Sequence, residues 1–106
     1  GQALRDFCAS FQEAVVDSLV KKTLLAARKE ELKTVLVAGG VAANKRFRKK
    51  LQQGAATDGL RVVFPSIELC TDNAAMVAAL SSVYLERGVD HGLELDANAN
   101  LSWPTA

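Results

Sequence analysis

The chain has 106 residues, of which 49% are hydrophobic and 24% are charged, and its formal net charge is +1. This composition is typical of a globular domain, or of part of one, and excludes an intrinsically disordered chain. The near-zero charge gives no bulk electrostatic reason to expect a nucleic acid or a membrane as partner. No apolar run reaches the roughly 20 residues that span a bilayer.

The first residues and the two cysteines bear on the compartment in which the protein works. Residues 1–5 lack the apolar segment of a secretory signal peptide, and we expect a cytoplasmic protein without membrane contact. Cys8 and Cys70 have no metal-type spacing, so we expect two buried free thiols rather than a disulfide. The chain begins without methionine and inside a helical pattern, which predicts a piece of a longer protein.

Hydrophobic periodicity predicts helices and strands in the order α-β-α-β-α. The first helix is long and amphipathic, extends over about 4–29, and has an apolar face formed by Leu4, Phe7, Phe11, Ala14, Val15, Leu19 and Leu25. An apolar, β-branched run at 34–38 predicts an interior parallel strand, which the glycine pair at 39–40 ends.

The central part of the chain predicts a strand–helix–strand unit. A second helix over about 43–53 is expected to stop at Gly54, and a second strand follows at 61–64. Such a unit joins parallel strands by a right-handed crossover. Two parallel strands alone make a poor sheet, because both faces of a parallel sheet need cover. We therefore expect the last part of a larger α/β domain.

A third helix is predicted near the end of the chain. Thr71 or Asp72 is expected to cap it, and it should end near Gly88. Its predicted buried face consists of Met76, Ala79, Leu80, Val83 and Tyr84. Residues 89–106 are polar and are expected to be irregular.

The glycine pair after the first strand is the first candidate site. Gly39 and Gly40 let the chain leave the strand tightly, and they also let a sugar, a base or a phosphate approach the backbone. Asn44, four residues after Gly40, would either cap the second helix or donate a hydrogen bond to a ligand, and the spacing leaves both roles open.

Asp72 is the second candidate, since it follows the second strand as the glycines follow the first. It would either cap the third helix or offer a hard anionic oxygen to a metal ion. One carboxylate cannot form a metal site, and the single histidine, His91, lies in the expected irregular tail. Further metal ligands must therefore come from outside this chain.

Five basic residues crowd the second helix, in which Phe47 and Leu51 are the expected buried contacts. They are Lys45, Arg46, Arg48, Lys49 and Lys50. They form either a solvated helix face, which we favour, or a set of phosphate contacts to RNA. The chain has no Ser-His-Asp or Cys-His set that would form a nucleophilic triad.

Three runs, read together, resemble the C-terminal part of the TsaD family. They are Ala-Gly-Gly-Val-Ala-Ala-Asn at 38–44, Phe-Pro at 64–65 and Leu-Cys-Thr-Asp-Asn-Ala-Ala-Met at 69–76. The run Ser-Trp-Pro at 102–104 is similar to the usual end of a family member. These proteins are tRNA threonylcarbamoyladenosine transferases, long called O-sialoglycoprotein endopeptidases or glycoproteases. The resemblance covers essentially all of this chain but only about the last third of a family member.

The resemblance implies a fold and a role for single residues. The fold is ribonuclease-H-like, of the actin, sugar-kinase and heat-shock ATPase superfamily. Gly39 and Gly40 match the turn that cradles an adenine nucleotide, and Asn44 matches the asparagine that contacts the adenylate. Asp72 matches the aspartate that completes an iron or zinc site with two histidines of an HxExH motif, which lie outside this chain.

The reaction implied by the resemblance is a group transfer to tRNA. Threonylcarbamoyl moves from its adenylate to the exocyclic amine of the adenosine beside the anticodon, and the metal polarises the carbonyl. The implied partners are tRNA and the other subunits of the threonylcarbamoylation complex. This sequence lacks HxExH and the ATPase-like N-terminal domain, so we expect no catalytic residue in it and no activity of the isolated chain.

Several expectations follow from what this chain lacks or changes. Ala74 stands where the family usually has glycine, and we expect it to stiffen the start of the third helix. An uncovered strand edge and apolar face would make the isolated chain self-associate. Two other functions stay open, namely a metal-dependent O-sialoglycoprotein endopeptidase and a protein-interaction module that uses the long first helix.

Overall fold

The structure is a computed structural model that describes residues 1–93, 96 and 100. It divides into two compact units, Gly1–Asn73 and Ala74–Ala106, which are treated separately below. Residues 102–104 and most of the predicted irregular tail lie outside the described residues. No helix within the described part of the chain is long and apolar enough to cross a membrane.

The predicted first helix is confirmed as α1, Gln2–Lys29. It ends in a Schellman motif, in which Leu32 N–H donates to Ala27 O (2.9 Å) and Glu31 N–H donates to Arg28 O (3.2 Å). Glu31 takes the left-handed conformation of that motif, with φ of 52°. This turn reverses the chain at once and leads it into the first strand.

The apolar face predicted for α1 is not the face that the chain buries. Phe7 and Phe11 are 68% and 65% exposed, whereas Val16 is 3% exposed. The buried stripe is offset by one residue and consists of Val16, Val20, Leu24 and Ala27. Both stripes have helical spacing, so periodicity alone could not select between them. The remaining stripe is an apolar surface that nothing in this unit covers.

The second helix, α2, spans Lys45–Thr57 and packs against α1. The core of the first unit is the cluster that these two helices form, with Phe47, Leu51 and Ala55 from α2 against Val16, Val20 and Leu24 from α1. Leu51 is fully buried, and Phe47 is 5% exposed. The two buried contacts predicted for α2, Phe47 and Leu51, are therefore confirmed.

The prediction that Gly54 stops α2 is wrong. The helix continues to Thr57, and the chain turns at Gly59, which has a φ of +66°. Gly54 instead allows the helices to approach closely, since a Cβ there would lie 2.6 Å from Leu24 Cδ1. A tertiary contact, rather than a helix stop, therefore accounts for this glycine.

We expect Gly54→Ala to destabilise the first unit. Alanine gains about 1 kcal/mol in helix propensity, but overpacking against Leu24 costs about 1–3 kcal/mol. In a Leu24→Ala background the clash is gone, so the same substitution is expected to stabilise the chain. Urea unfolding of the single and double variants measures this reversal of sign. The same effect of Gly54→Ala in both backgrounds would contradict the packing account.

Four charged side chains join the two helices at the surface. Glu13 accepts hydrogen bonds from Arg46 Nε (2.8 Å) and Nη2 (2.7 Å), and it also pairs with Lys50. Lys50 pairs in addition with Asp17. The hydrogen bonds from Arg46, then those from Lys50, lower the pKa of Glu13 from about 4.5 to about 2. Hydrogen bonding to Asp17, and then to Glu13, raises the pKa of Lys50.

The depressed pKa of Glu13 predicts how acid affects stability. Between pH of about 4.5 and about 2 the unfolded chain binds a proton at Glu13 that the folded chain does not. The free energy of unfolding should therefore fall as the pH falls through this window. In Glu13→Gln this decrease in the free energy of unfolding between pH of about 4.5 and about 2 should be absent. The exposed control Glu68→Gln should still show it. Urea unfolding from pH 6 to pH 2 tests this, and a pH-independent difference between wild type and Glu13→Gln would contradict it.

The two predicted strands are confirmed as a parallel pair, β1 at Thr34–Leu36 and β2 at Arg61–Val63. The register places Thr34 opposite Arg61 and Leu36 opposite Val63. The expectation of an interior strand with two buried faces is wrong for this chain, because Leu36 is 74% exposed. The helices α1 and α2 cover only part of this two-stranded sheet. Incomplete cover is expected for a piece of a larger α/β domain.

In the second unit the predicted helix is α3, Ala74–Glu86, and the chain turns at Gly88. The prediction of a buried face is wrong, because all of its residues are described and each is exposed. Its apolar side chains include Met76, Leu80, Val83 and Tyr84. His91 is exposed, as expected, and its ring lies edge-on to Tyr84 with centroids 6.1 Å apart.

Candidate functional site

Two loops leave the same edge of the sheet, because β1 and β2 are parallel. The β1 loop is residues 38–44, and the β2 loop is residues 64–73. Val37 N–H donates to Val63 O at 3.0 Å, which carries the strand pairing up to the start of both loops. Ligands of open α/β sheets bind at this edge, beyond the carboxyl ends of the strands. All four predicted site residues lie on these two loops.

In the β1 loop the backbone requires a glycine at position 39. Gly39 has a φ of +86°, which side chains other than glycine rarely adopt. Gly40 then begins a short 3₁₀ turn, Gly40–Ala43, which buries Ala42 completely. A Cβ built on either glycine would meet no described atom within 4 Å. The space beside both glycines is therefore open to another molecule or to another part of a longer chain.

The structure confirms that Asn44 caps α2. Its Oδ1 accepts a hydrogen bond from Phe47 N–H at 3.0 Å, and its Nδ2 donates to Gln12 Oε1 of α1 at 3.1 Å. The cap does not exclude the second role that the sequence left open. Asn44 also borders an apolar groove of about 220 Å³, whose other lining residues are Phe11, Gln12, Val15, Val16, Leu19 and Val41.

The β2 loop carries Asp72 just beyond a buried anchor. The loop makes a 3₁₀ turn, Ile67–Leu69, and is then fixed by Cys70, which is 2% exposed. Asp72 is exposed, and its carboxylate accepts no hydrogen bond from any described residue. Helix α3 begins two residues later. Within the described residues, no group of three or more potential metal ligands comes together, so the metal role of Asp72 stays a prediction.

The cysteine prediction is correct for one thiol and wrong for the other. Both cysteines are free, and Cys70 is buried, but Cys8 is exposed. Cys8 lies on α1, in the part of the helix where Leu4, Phe7 and Phe11 are also exposed.

Arg48 is the residue that the sequence analysis missed, since it was grouped with the basic face of α2. Its Nε donates to Ala42 O in the β1 loop. Its Nη2 donates to Pro65 O (2.7 Å) and to Cys70 Sγ (3.1 Å) in the β2 loop. Helical spacing contained a signal for this role, because Arg48 precedes the buried Leu51 by three residues and Ala55 by seven.

The other basic residues of α2 divide into two groups. Arg46 and Lys50 form ion pairs with acidic residues of α1; Arg46 is still exposed, as predicted, whereas Lys50 is half-buried. Lys45 and Lys49 are exposed, as predicted. Any phosphate contact by this helix would therefore depend on these two lysines.

Comparison with known proteins decides the family. Residues 2–79 match the family model of TsaD, tRNA N6-adenosine threonylcarbamoyltransferase. The chain belongs to the TsaD family. The family has the actin-like ATPase fold, in agreement with the parallel α/β arrangement described above.

Curated TsaD proteins match nearly the whole chain. The tRNA N6-adenosine threonylcarbamoyltransferase of Geobacter metallireducens is 53% identical over 104 residues, which are 98% of this chain. The protein of the same name from Syntrophotalea carbinolica is 49% identical over 98% of this chain. The one from Cyanothece sp. is 44% identical over 93%. In each case this chain spans only about 30% of the length of the relative.

Proposed function

We propose that this chain supplies one wall of the nucleotide site, and one metal ligand, of a tRNA threonylcarbamoyltransferase. The observation that carries the proposal is the placement of the four predicted residues. Gly39, Gly40 and Asn44 lie on one loop, Asp72 lies on the other, and both loops leave one edge of a parallel strand pair. The proteins that match 98% of the chain bear the name of that transferase.

The β1 loop has the features of a nucleotide cradle. The positive φ of Gly39 and the absence of described neighbours beside both glycines leave room for a sugar or a phosphate at the backbone. The groove beside Asn44 is mostly apolar, as suits the face of an adenine ring. We infer that Asn44 holds the loop in place through its cap while its amide contacts the adenylate.

The β2 loop offers an available carboxylate. Asp72 is exposed and accepts no hydrogen bond from a described residue, so its oxygens are free to coordinate a hard or borderline cation. A single carboxylate fits part of such a site, and two histidines from the rest of a full-length protein would complete it. An iron or zinc ion bound there would polarise the threonylcarbamoyl carbonyl. In this chain, Asp72 would position that ion, and the β1 loop would orient the adenylate.

The proposal includes a partner set and a compartment. The substrate is tRNA, the protein works in the cytoplasm with other subunits of a threonylcarbamoylation complex, and Lys45 and Lys49 are available for tRNA phosphates. The isolated chain should be inactive and self-associate, since Phe7, Phe11 and the apolar side chains of α3 are exposed. The exposed stripe on α1 also favours the second candidate function, a protein-interaction module.

A chimera tests the proposed function. It consists of the Geobacter metallireducens relative with this chain in place of its matching segment. We expect the chimera to form N6-threonylcarbamoyladenosine in tRNA, measured by mass spectrometry of the nucleosides, and the 106-residue chain to form none.

The alternative functions give different results in the same assays. A folded chimera that leaves tRNA unmodified and cleaves a sialylated glycopeptide would favour the endopeptidase. A folded chimera with neither activity, in a stable complex with its partner subunits, would favour the interaction module.

A further inference from the structure

We propose that Arg48 is a positioning residue of the transferase, which clamps the β1 loop to the β2 loop and so fixes the distance between the adenylate and the metal ligand. This inference rests on the proposed function. The inference goes beyond the proposed function because it assigns a role to Arg48, which was expected to belong to a solvated helix face.

The contacts of Arg48 join the two loops directly. One guanidinium group donates to the carbonyl of Ala42 in the β1 loop and to the carbonyl of Pro65 and the thiol of Cys70 in the β2 loop. Two of these acceptors belong to buried residues, since Ala42 is fully buried and Cys70 is 2% exposed. Hydrogen bonds to acceptors that are shielded from water hold their geometry better than exposed contacts.

The aromatic ring beside Arg48 restricts it further. The guanidinium carbon lies 4.8 Å from the centroid of the Phe64 ring. Phe64 in turn packs edge-on against Phe47 of α2, with centroids 6.4 Å apart and planes at 89°. The Phe64 ring therefore lies against the guanidinium group, whose planar fork of donors reaches both loops.

The clamp acts on both halves of the proposed site. Ala42 is two residues from Asn44, and Cys70 is two residues from Asp72. A loop freed from the clamp would let its site residue move by a fraction of an ångström or more, and a 1 Å misplacement of reacting groups can cost about 100-fold in rate.

Neighbouring basic residues differ from Arg48 in their contacts. Arg46 pairs with the carboxylate of Glu13 on α1, and within the described part of the chain its guanidinium donates no hydrogen bond to either loop. Arg46→Met is therefore a matched control, because it removes the same chemical group from the same helix without touching the clamp.

The experiment compares Arg48→Met, Arg48→Lys and Arg46→Met in the chimera. Lysine keeps the charge but not the planar fork, so it cannot reach both loops in the same way. Hydrogen exchange is followed at four loop amides that the structure shows hydrogen-bonded, those of Ala42, Asn44, Leu69 and Cys70. We expect exchange at these amides to be at least tenfold faster in both Arg48 variants, and unchanged in Arg46→Met.

Kinetics give the second readout. In both Arg48 variants we expect kcat for tRNA modification to fall by roughly 10- to 100-fold, with a change of less than about threefold in KM for tRNA, since the clamp orients the reacting groups. If hydrogen exchange at the four amides were unchanged in the Arg48 variants, the clamp would be refuted, even if their tRNA modification were slower. Full rescue of kcat by Arg48→Lys would also overturn it. A wild-type chimera that modifies no tRNA would refute the proposed function instead, and the exchange data would still decide whether Arg48 holds the loops.

Discussion

In the chimera, Asp72→Asn is expected to abolish both metal binding and tRNA modification while the protein stays folded. Asparagine keeps the size of the side chain but removes the anionic oxygen that a metal ion needs. The side chain is exposed and accepts no hydrogen bond from a described residue, so little else should change. The free energy of unfolding should change by about 1 kcal/mol or less, the scale of a helix cap. Metal analysis, thermal unfolding and nucleoside mass spectrometry measure the three quantities.

Glu68→Gln is the control for this experiment. Glu68 lies on the same β2 loop and is exposed, so the substitution removes one carboxylate from the same neighbourhood. It should leave the metal content and the activity unchanged. If Asp72→Asn retained full metal content and full transferase activity, Asp72 would not be a metal ligand, and the assignment would be wrong.

The second large effect is expected for Asn44→Ala. In the chimera this substitution should make the free energy of adenine-nucleotide binding less favourable by roughly 1–3 kcal/mol. That is the cost of leaving polar groups without partners. The same variant removes the cap of α2, in which Oδ1 accepts from Phe47 N–H, and should lose about 1 kcal/mol of stability. It should keep the metal, because Asp72 is untouched. Calorimetric titration with ATP and thermal unfolding measure the two losses.

Asn44→Ser separates the cap from the ligand contact. Serine caps helices about as well as asparagine, so the stability should return almost to that of the wild type. Serine lacks the amide nitrogen that donates to Gln12 and would face the adenylate, so the nucleotide affinity should stay low. Wild-type affinity in Asn44→Ser would show that Asn44 is a helix cap and nothing more.

The sequence predicted the local elements well and their exposure badly. Helical spacing and the strand–helix–strand order were enough for α1, for α2 and for the parallel pair, because these depend on neighbours in the chain. The buried stripe of α1 and the role of Gly54 depend on which helix packs where, which periodicity does not contain. The exposed faces of α3 and of Leu36 have a different cause. This chain spans 30% of the length of a relative, and we expect further parts of a full-length protein to cover these surfaces.

The site shows the same division between local and tertiary information. Placing Gly39, Gly40, Asn44 and Asp72 on neighbouring loops needed only the two strands and the rule that parallel strands end at one edge. The cap made by Asn44 was one of two roles that its spacing allowed. The clamp made by Arg48 depends on contacts with residues up to 22 positions away in the sequence, and the neighbouring basic residues of α2 concealed it.

Hydrogen exchange of the chimera with and without ATP tests the central claim most directly, namely that the β1 and β2 loops line one nucleotide and metal site. With metal present in both samples, ATP should slow exchange at least threefold in peptides that cover 39–44 and 65–72, and leave the first turns of α1 unchanged. ATP binding without slower exchange in either loop would contradict the account.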